Sequence, residues 1–230
     1  MSGTVFIISA PSGSGKTTLT NRLLSLVPGL QFSISYTTRE PRGSEENARE
    51  YFFVSRDEFL KMLADGEFLE HADVFGNYYG TARRFLEQAT RQGKDLLLDI
   101  DVQGAQQVKQ KMPEAVSIFI LPPSRAELEM RLRGRSQAEN VTSQEVIRRR
   151  LEEAAREIEK YPNYDYILVN DRLEESIDLL QAIVLAERSK RSNVSLDPEI
   201  LARANSCLRQ NVQSRAKQIF ESFGLTPAPQ

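Results

Sequence analysis

An internal disulfide is excluded, because Cys207 is the only cysteine, and a reducing compartment is the default for such a chain. Histidine is as scarce: His71 stands alone. With no second His and no Cys to join it, a metal cluster of the thiolate–imidazole kind is not expected. A surplus of charge is lacking too. Thirty Lys and Arg against 32 Asp and Glu leave a net −2, so no global field draws the chain to nucleic acid or membrane, and any basic site must be local. Long apolar runs are missing. The first one, "VFIISA" (5–10), is broken at once by Pro11 and Gly13 and has no basic stretch before it, which fits neither a signal peptide nor a membrane span. No later run approaches a span. A cytoplasmic protein without nucleic-acid or membrane partners is expected.

What is present suits one sizeable core with insertions. The 230 residues are 40% hydrophobic and 27% charged, ordinary values for a globular chain. Four short apolar runs, "VFIISA", "DLLLDI" (95–100), "SIFIL" (117–121) and "DYILVN" (165–170), read as strands covered on both faces, as in a parallel sheet. Helical patterns lie between them. One puts Leu19, Leu23, Leu26 and Val27 on a single face; another does so with Ile177, Leu180, Ile183 and Val184. The alternation predicts a doubly wound α/β core. Residues 36–94 read as a separate small lobe of short antiparallel strands. Residues 125–160 are densely charged and helical.

"APSGSGKTT" is the sharpest signal. It follows a strand and opens a helix, the context a phosphate-binding P-loop requires. Gly13 and Gly15 let the backbone curl so that N–H groups point at phosphate oxygens, and the helix adds its positive end. Lys16 would reach the β- and γ-phosphates and Thr17 would place its hydroxyl on Mg²⁺. Ala10 stands where the pattern has glycine, a small departure. The stretch from Ala10 through Pro11, Ser12, Gly13, Ser14, Gly15, Lys16 and Thr17 to Thr18 is the expected ATP site.

"SYTTREPRGSE" (35–45) poses the acceptor question. It has no apolar face, and Pro41 disfavours a helix. Arg39 and Arg42 carry planar forks suited to phosphate oxygens. Two arginines three apart on an irregular loop can converge on one anion; they can equally be solvated surface residues.

These segments resemble the guanylate kinase family. "APSGSGKTT", "SISYTTREPR", "EYFFV", "FLEHADVFGNYYGT", "LLLDIDVQGA", "RLRGR" and "YDYILVND" occur in the family's order and cover roughly residues 3–188. The resemblance implies a P-loop NTPase-type parallel sheet flanked by helices, an inserted mixed α+β lobe for a nucleoside monophosphate, and a helical lid. It divides residues 1–187 into a core (1–35, 95–124, 161–187), a GMP-binding lobe (36–94) and a lid (125–160), followed by a helical extension (188–230). Arg39 and Arg42 would grip the phosphate of GMP, completed by Tyr51 and Tyr79. Ser35, Glu70, Thr81 and Asp101 would read the guanine. A carboxylate such as Glu70 can accept from guanine N1–H and the N2 amine together. Adenine has no proton on that ring nitrogen, and a buried polar group left unpaired discriminates by about 10⁴-fold or more in suitable sites. Phe75 and His71 need no role beyond packing.

The lid arginines are harder to place. Glu127–Arg131, Glu129–Arg133, Glu145–Arg149 and Glu152–Arg156 are four apart with the acid first, the favourable orientation for a solvated helix face. Arg135 and Arg150 have no acid four residues before them and resemble the arginines that close on the transferring phosphoryl group; Arg148 and Arg149 remain alternatives to Arg150. Asp99 resembles the acid that supports Mg²⁺, and Asp101 belongs with guanine, although the two share a strand edge and are interchangeable on sequence. Asn170, at the end of the last strand, is either near the adenine of ATP or a turn residue.

The implied reaction is ATP + GMP ⇌ ADP + GDP with Mg²⁺, run by positioning and charge neutralisation. Closure of lobe and lid would exclude water. Two rivals are a phosphopeptide-binding module without catalysis, which the intact Lys16 opposes, and a P-loop kinase for another phosphorylated small molecule, which Ser35, Glu70 and Asp101 oppose. The basic tail after Arg188 carries an apolar stripe (Leu201, Ala204, Leu208, Val212, Ile219, Phe223) that can pack on the core, pair two subunits as a homo-oligomer, or cover a neighbour. Packing is the simpler expectation.

Overall fold

In the computed structural model, residues 3–74, 76–138 and 143–225 are described. Phe75 lies outside them. The chain divides into two compact units, Met1–Ile7 with Pro28–Ala115, and Ile8–Val27 with Val116–Gln230.

The elements run β1 (Val5–Ser9), α1 (Lys16–Leu26), β2 (Leu30–Ser33), β3 (Tyr36–Thr37), β4 (Phe52–Phe53), α2 (Arg56–Ala64), β5 (Phe68–Val74), β6 (Asn77–Ala82), α3 (Arg83–Gln92), β7 (Asp95–Asp99), α4 (Val102–Lys111), β8 (Val116–Leu121), α5 (Arg125–Ala138), α6 (Gln144–Ile158), β9 (Tyr166–Val169), α7 (Leu173–Ser192), α8 (Pro198–Ser206) and α9 (Gln213–Ser222). A short 3-10 turn, Tyr161–Asn163, precedes β9.

One sheet has the order β2-β7-β1-β8-β9, with β2–β7 and β8–β9 parallel. The four expected apolar runs are all in it. The fifth strand, β2, gave no such run. Its "LQFS" is only half-buried, so it lacked the continuous apolar signature of a central strand. On α1, Leu19 and Leu23 are fully buried and Val27 nearly so, but Leu26 is 43% exposed. The buried arc of that helix also takes in Thr20, which shifts its centre away from Leu26.

In the first unit a second sheet has the order β4-β3-β6-β5. β3–β6 and β5–β6 are antiparallel, as expected of short strands here, while β3–β4 is parallel. Tyr36, Phe59, Phe68 and Ala82 form its core, flanked by Phe52, Tyr78 and Phe85. Phe59 stacks on Phe68 at 4.4 Å and on Tyr78 at 5.4 Å between ring centroids. Helix α2 is fixed at its start by a capping box between Ser55 and Glu58, which satisfies two orphan donors at once.

The second unit holds the end of β1, α1, and β8 with everything after it. Helix α7 continues unbroken to Ser192, ending at Asn193 in the left-handed region. The tail is not a loose end: Ala204, Cys207, Ala216, Ile219, Phe220 and Phe223 are buried. Burial pushes the Cys207 thiol up to about 11, so it is inert at neutral pH. No described helix is long and apolar enough to cross a membrane.

Candidate active site

In the second unit, strand β1 delivers the chain into a tight loop that ends at the first residue of α1. Gly13 and Gly15 both have φ of 88°, a region costly for residues with a Cβ. A side chain would also crowd its neighbours. A Cβ on Gly15 would lie 2.3 Å from Nδ2 of Asn170, and one on Gly13 2.9 Å from Cδ2 of Leu132. Asn170 Nδ2 donates to the carbonyl of Ser14 at 2.7 Å, and Arg131 Nη1 donates to the carbonyl of Asn170 at 3.1 Å. The buried Asn170 is thus brought to the phosphate loop itself. Lys16 is half-buried at the start of α1, and Thr17 and Thr18 are exposed beside it. Ala10 and Pro11 line the entry to the loop, where the carbonyl of Pro11 accepts from Ser14 N at 3.1 Å. Ser12 is exposed at its tip.

The arginines expected of a lid divide unevenly. Arg135 belongs to α5, but its side chain lies outside the described residues. On α6, Arg148 pairs with Glu145 at 2.6 Å and Glu152 at 3.5 Å. The Glu129–Arg133 pair forms at 2.6 Å. Arg150 is half-buried and Arg149 exposed.

In the first unit, β3 leads into the arginine loop. Arg39 is 9% exposed. Its guanidinium lies over Tyr51 at 5.3 Å and Phe53 at 5.8 Å, a favourable stacking for arginine. It meets Glu45 through both nitrogens, Nη2 to Oε1 at 3.0 Å and Nη1 to Oε2 at 2.9 Å. The same carboxylate accepts from the backbone N–H of Arg42 at 2.8 Å. Partial burial is the largest influence on the Glu45 carboxyl and pushes it up, but the bonds from the Arg39 guanidinium and the Arg42 backbone, with the charges of both arginines, together hold it below its ordinary range. Of the two guanidinium groups only that of Arg39 meets this carboxylate; Arg42 reaches it through its backbone, and its side chain is exposed. Tyr51 and Tyr79 meet edge to face at 5.9 Å beside them. Glu45 was not singled out from sequence. Its signal was its place three residues after Arg42.

A second cluster lies on β5 and β6 of the same unit. Glu70 is 3% exposed and stands opposite Thr81. Burial pushes its carboxyl up to about 7; a bond from Thr81 opposes that shift and the nearby Asp101 adds to it. Asp101 caps α4, accepting from Gly104 N at 2.8 Å. A Cβ on Gly104 would lie 2.4 Å from Glu70 Oε2 and 3.3 Å from Asp101 Oδ1. Glycine is what lets the helix bring the two carboxylates together. Asp99, by contrast, is the last residue of β7, which separates the two acids that sequence left interchangeable. Gln107 holds the neighbouring backbone, donating to the carbonyl of His71 at 2.6 Å and accepting from its N–H at 3.2 Å. Ser35 is buried between β2 and β3, and its carbonyl accepts from Phe52 N at 2.9 Å. Gly104 and Gln107 had no signal in a single sequence beyond their place in "VQGAQQ".

The model of the family described as guanylate kinase matches residues 2–187. This chain belongs to the guanylate kinase family. A curated guanylate kinase from Koribacter versatilis is 58% identical over the whole of both chains. One from Escherichia coli (strain K12) is 52% identical over 83% of this chain and 91% of its own. The crystal structure of guanylate kinase from Anaplasma phagocytophilum matches with a TM-score of 0.67 and 35% identity, covering 85% of this chain and 98% of that one. Members of the guanylate kinase family thus resemble this chain in sequence and in fold.

Proposed function

We propose that the chain is a nucleoside monophosphate kinase that transfers the γ-phosphoryl group of ATP to GMP, yielding ADP and GDP. The observation that carries the acceptor is Glu70: a carboxyl buried to 3% exposure, beside Thr81 and Asp101. A buried acid needs a partner for its charge, and the N1–H and N2 amine of guanine supply two donors along one edge.

ATP is taken by Ala10–Thr18, with loop N–H groups and Lys16 on its phosphates. GMP is taken by Ser35, Arg39, Arg42, Tyr51, Glu70, Tyr79, Thr81 and Asp101. Its phosphate replaces the Glu45 carboxylate as the anion that Arg39 faces, with the side chain of Arg42 folding in from solvent. The acceptor oxygen is already ionised near neutral pH, so no general base is required. Catalysis then consists of holding the reacting atoms in line and offsetting their negative charge. Arg135 and Arg150 complete that charge. In this reading residues 36–94 serve GMP and residues 125–160 form the lid.

Among the described residues, no three His, Cys, Asp or Glu gather to hold a metal. Mg²⁺ is bound through one or two protein oxygens and the substrate phosphates rather than in a protein cage. Thr17 and Asp99 offer such hard oxygen donors, and the ion would neutralise charge developing on the β- and γ-phosphates.

The test is an acceptor panel with ATP as donor: GMP, dGMP, AMP, CMP, UMP and a ribose phosphate, each followed by ADP release. GMP turnover well above AMP, CMP, UMP and the sugar phosphate is expected. Equal rates for AMP would remove the role given to Glu70, and no turnover of any acceptor would favour a phosphopeptide-binding module.

A further inference from the structure

Residues 193–225 lie beyond the family match, yet they are tied to the second unit at every end. The chain after α8 pairs with β9, the edge strand of its sheet: Ile167 N donates to Cys207 O at 2.7 Å, Arg209 N donates to Asp165 O at 3.2 Å, and Tyr166 opposes Leu208 in antiparallel register. Helix α9 then reaches both feet of the α5–α6 pair. At the start of α5, Arg125 N donates to Ser222 Oγ at 3.0 Å, while that hydroxyl donates its own proton to Ile219 O at 2.6 Å. After the end of α6, Phe220 packs on Tyr161 with ring centroids 4.7 Å apart, and Arg209 donates to the carbonyl of Pro162.

These contacts continue inward. Helix α5, held at its N-terminus by Ser222, packs Leu128 and Leu132 close over Gly13, where a Cβ would lie 2.9 Å from Leu132 Cδ2 and 3.1 Å from Leu128 Cδ1. One turn along, Arg131 binds the carbonyl of Asn170, whose amide binds Ser14. Arg215 of α9 adds an ion pair with Asp171 at 2.9 Å, the next residue in the chain. That pair is about half exposed at both ends and contributes little by itself. Ser222 and Phe220 make the contacts that reach α5 and the end of α6.

We infer that α9 is a brace for the phosphate loop: Ser222 and Phe220 are positioning residues that act on ATP binding through α5 and Asn170. The phosphate loop works only while its N–H groups stay pre-aimed, and a helix whose first turn loosens no longer fixes Leu128, Arg131 and Leu132 against it. The inference rests on the reading that this loop takes ATP.

The test uses the full chain with Ser222→Ala, Phe220→Ala and, as a control on the exposed face of α9, Lys217→Ala. Titration calorimetry measures the affinity of a non-hydrolysable ATP analogue with Mg²⁺ and, separately, of GMP. Losing a helix-capping bond is expected to weaken the ATP analogue about three- to tenfold in Ser222→Ala, more in Phe220→Ala, with GMP unchanged. Lys217→Ala changes neither. Amide hydrogen exchange of residues 10–16 in the free protein should quicken in both tail variants, a readout that holds whatever nucleotide the loop takes. Unchanged exchange in Ser222→Ala with ATP affinity also unchanged overturns the brace, as does an equal loss for ATP and GMP. An analogue that fails to bind the parent chain while exchange still quickens sinks the ATP reading and leaves the brace standing. Should Phe220→Ala fail to fold, Ser222→Ala decides, because Ser222 is exposed and its loss opens no cavity.

Discussion

Gly104 leaves no room for a side chain beside Glu70: a Cβ there would stand 2.4 Å from Oε2. The carboxyl, not the helix, is the softer partner, so it would move. Gly104→Ala is expected to raise the KM for GMP about tenfold or more, the scale of overpacking at about 1–3 kcal/mol, with the KM for ATP within twofold of the parent. Steady-state kinetics with each substrate varied in turn checks this. Parallel changes in both constants would mean that the substitution disturbs more than the Glu70 carboxyl.

The Glu70 carboxyl, raised from 4.5 to about 7, makes two pH-dependent predictions. Guanine needs the ionised form, so GMP affinity should fall as pH drops from 8 to 6, and Glu70→Gln should bind weakly without that slope. Stability runs the other way. Between about pH 4.5 and 7 the folded chain keeps a proton that the unfolded chain has lost, so this group's contribution to stability falls as pH rises. Ligand-free Glu70→Gln should therefore melt higher than the parent at pH 8 and alike at pH 4.5. Melting curves at the two pH values, without nucleotide, decide it.

Glu45→Ala leaves Arg39, at 9% exposure, without its carboxylate partner. A buried charge deprived of its mate is costly. The Glu45 side chain is partly exposed, so a loss of about 1–3 kcal/mol is expected. GMP should restore stability, because its phosphate supplies the missing anion. The rise in melting temperature on adding GMP should be larger for Glu45→Ala than for the parent. A smaller rise would place the GMP phosphate elsewhere.

Lys16→Met removes the cation at the phosphate loop while keeping the aliphatic stem. Turnover should drop by about 10²-fold or more, the scale of losing one group that stabilises transition-state charge, with the melting temperature close to the parent's. Residual turnover near the parent rate would show that Lys16 is not needed at the transferring group.

The glycine loop between β1 and α1 was legible because its backbone demands it. Gly13 and Gly15 sit at φ of 88°, and such a constraint is written in glycines wherever it occurs. β1, β7, β8 and β9 were legible because burial on both faces leaves a continuous apolar run. β2 was not, being mostly only half-buried. Glu70 was visible only through the family resemblance, since a lone acid in a strand reads equally well as a solvated face. Glu45, Gly104 and Gln107 were hidden for another reason. Each works through an atom brought near by the fold, and neither spacing nor composition records such a meeting. The tail showed an apolar stripe but not its destination, because amphipathic periodicity names a face and never the surface it covers.

The strand formed by Tyr166–Val169 ends its sheet, and residues 207–209 lie along it. Naked rims of this kind invite the same rim of a sibling molecule to zip on. A chain clipped before residue 207 would carry an unzipped seam, and its first symptom would be turbidity that grows with protein concentration rather than a loss of turnover.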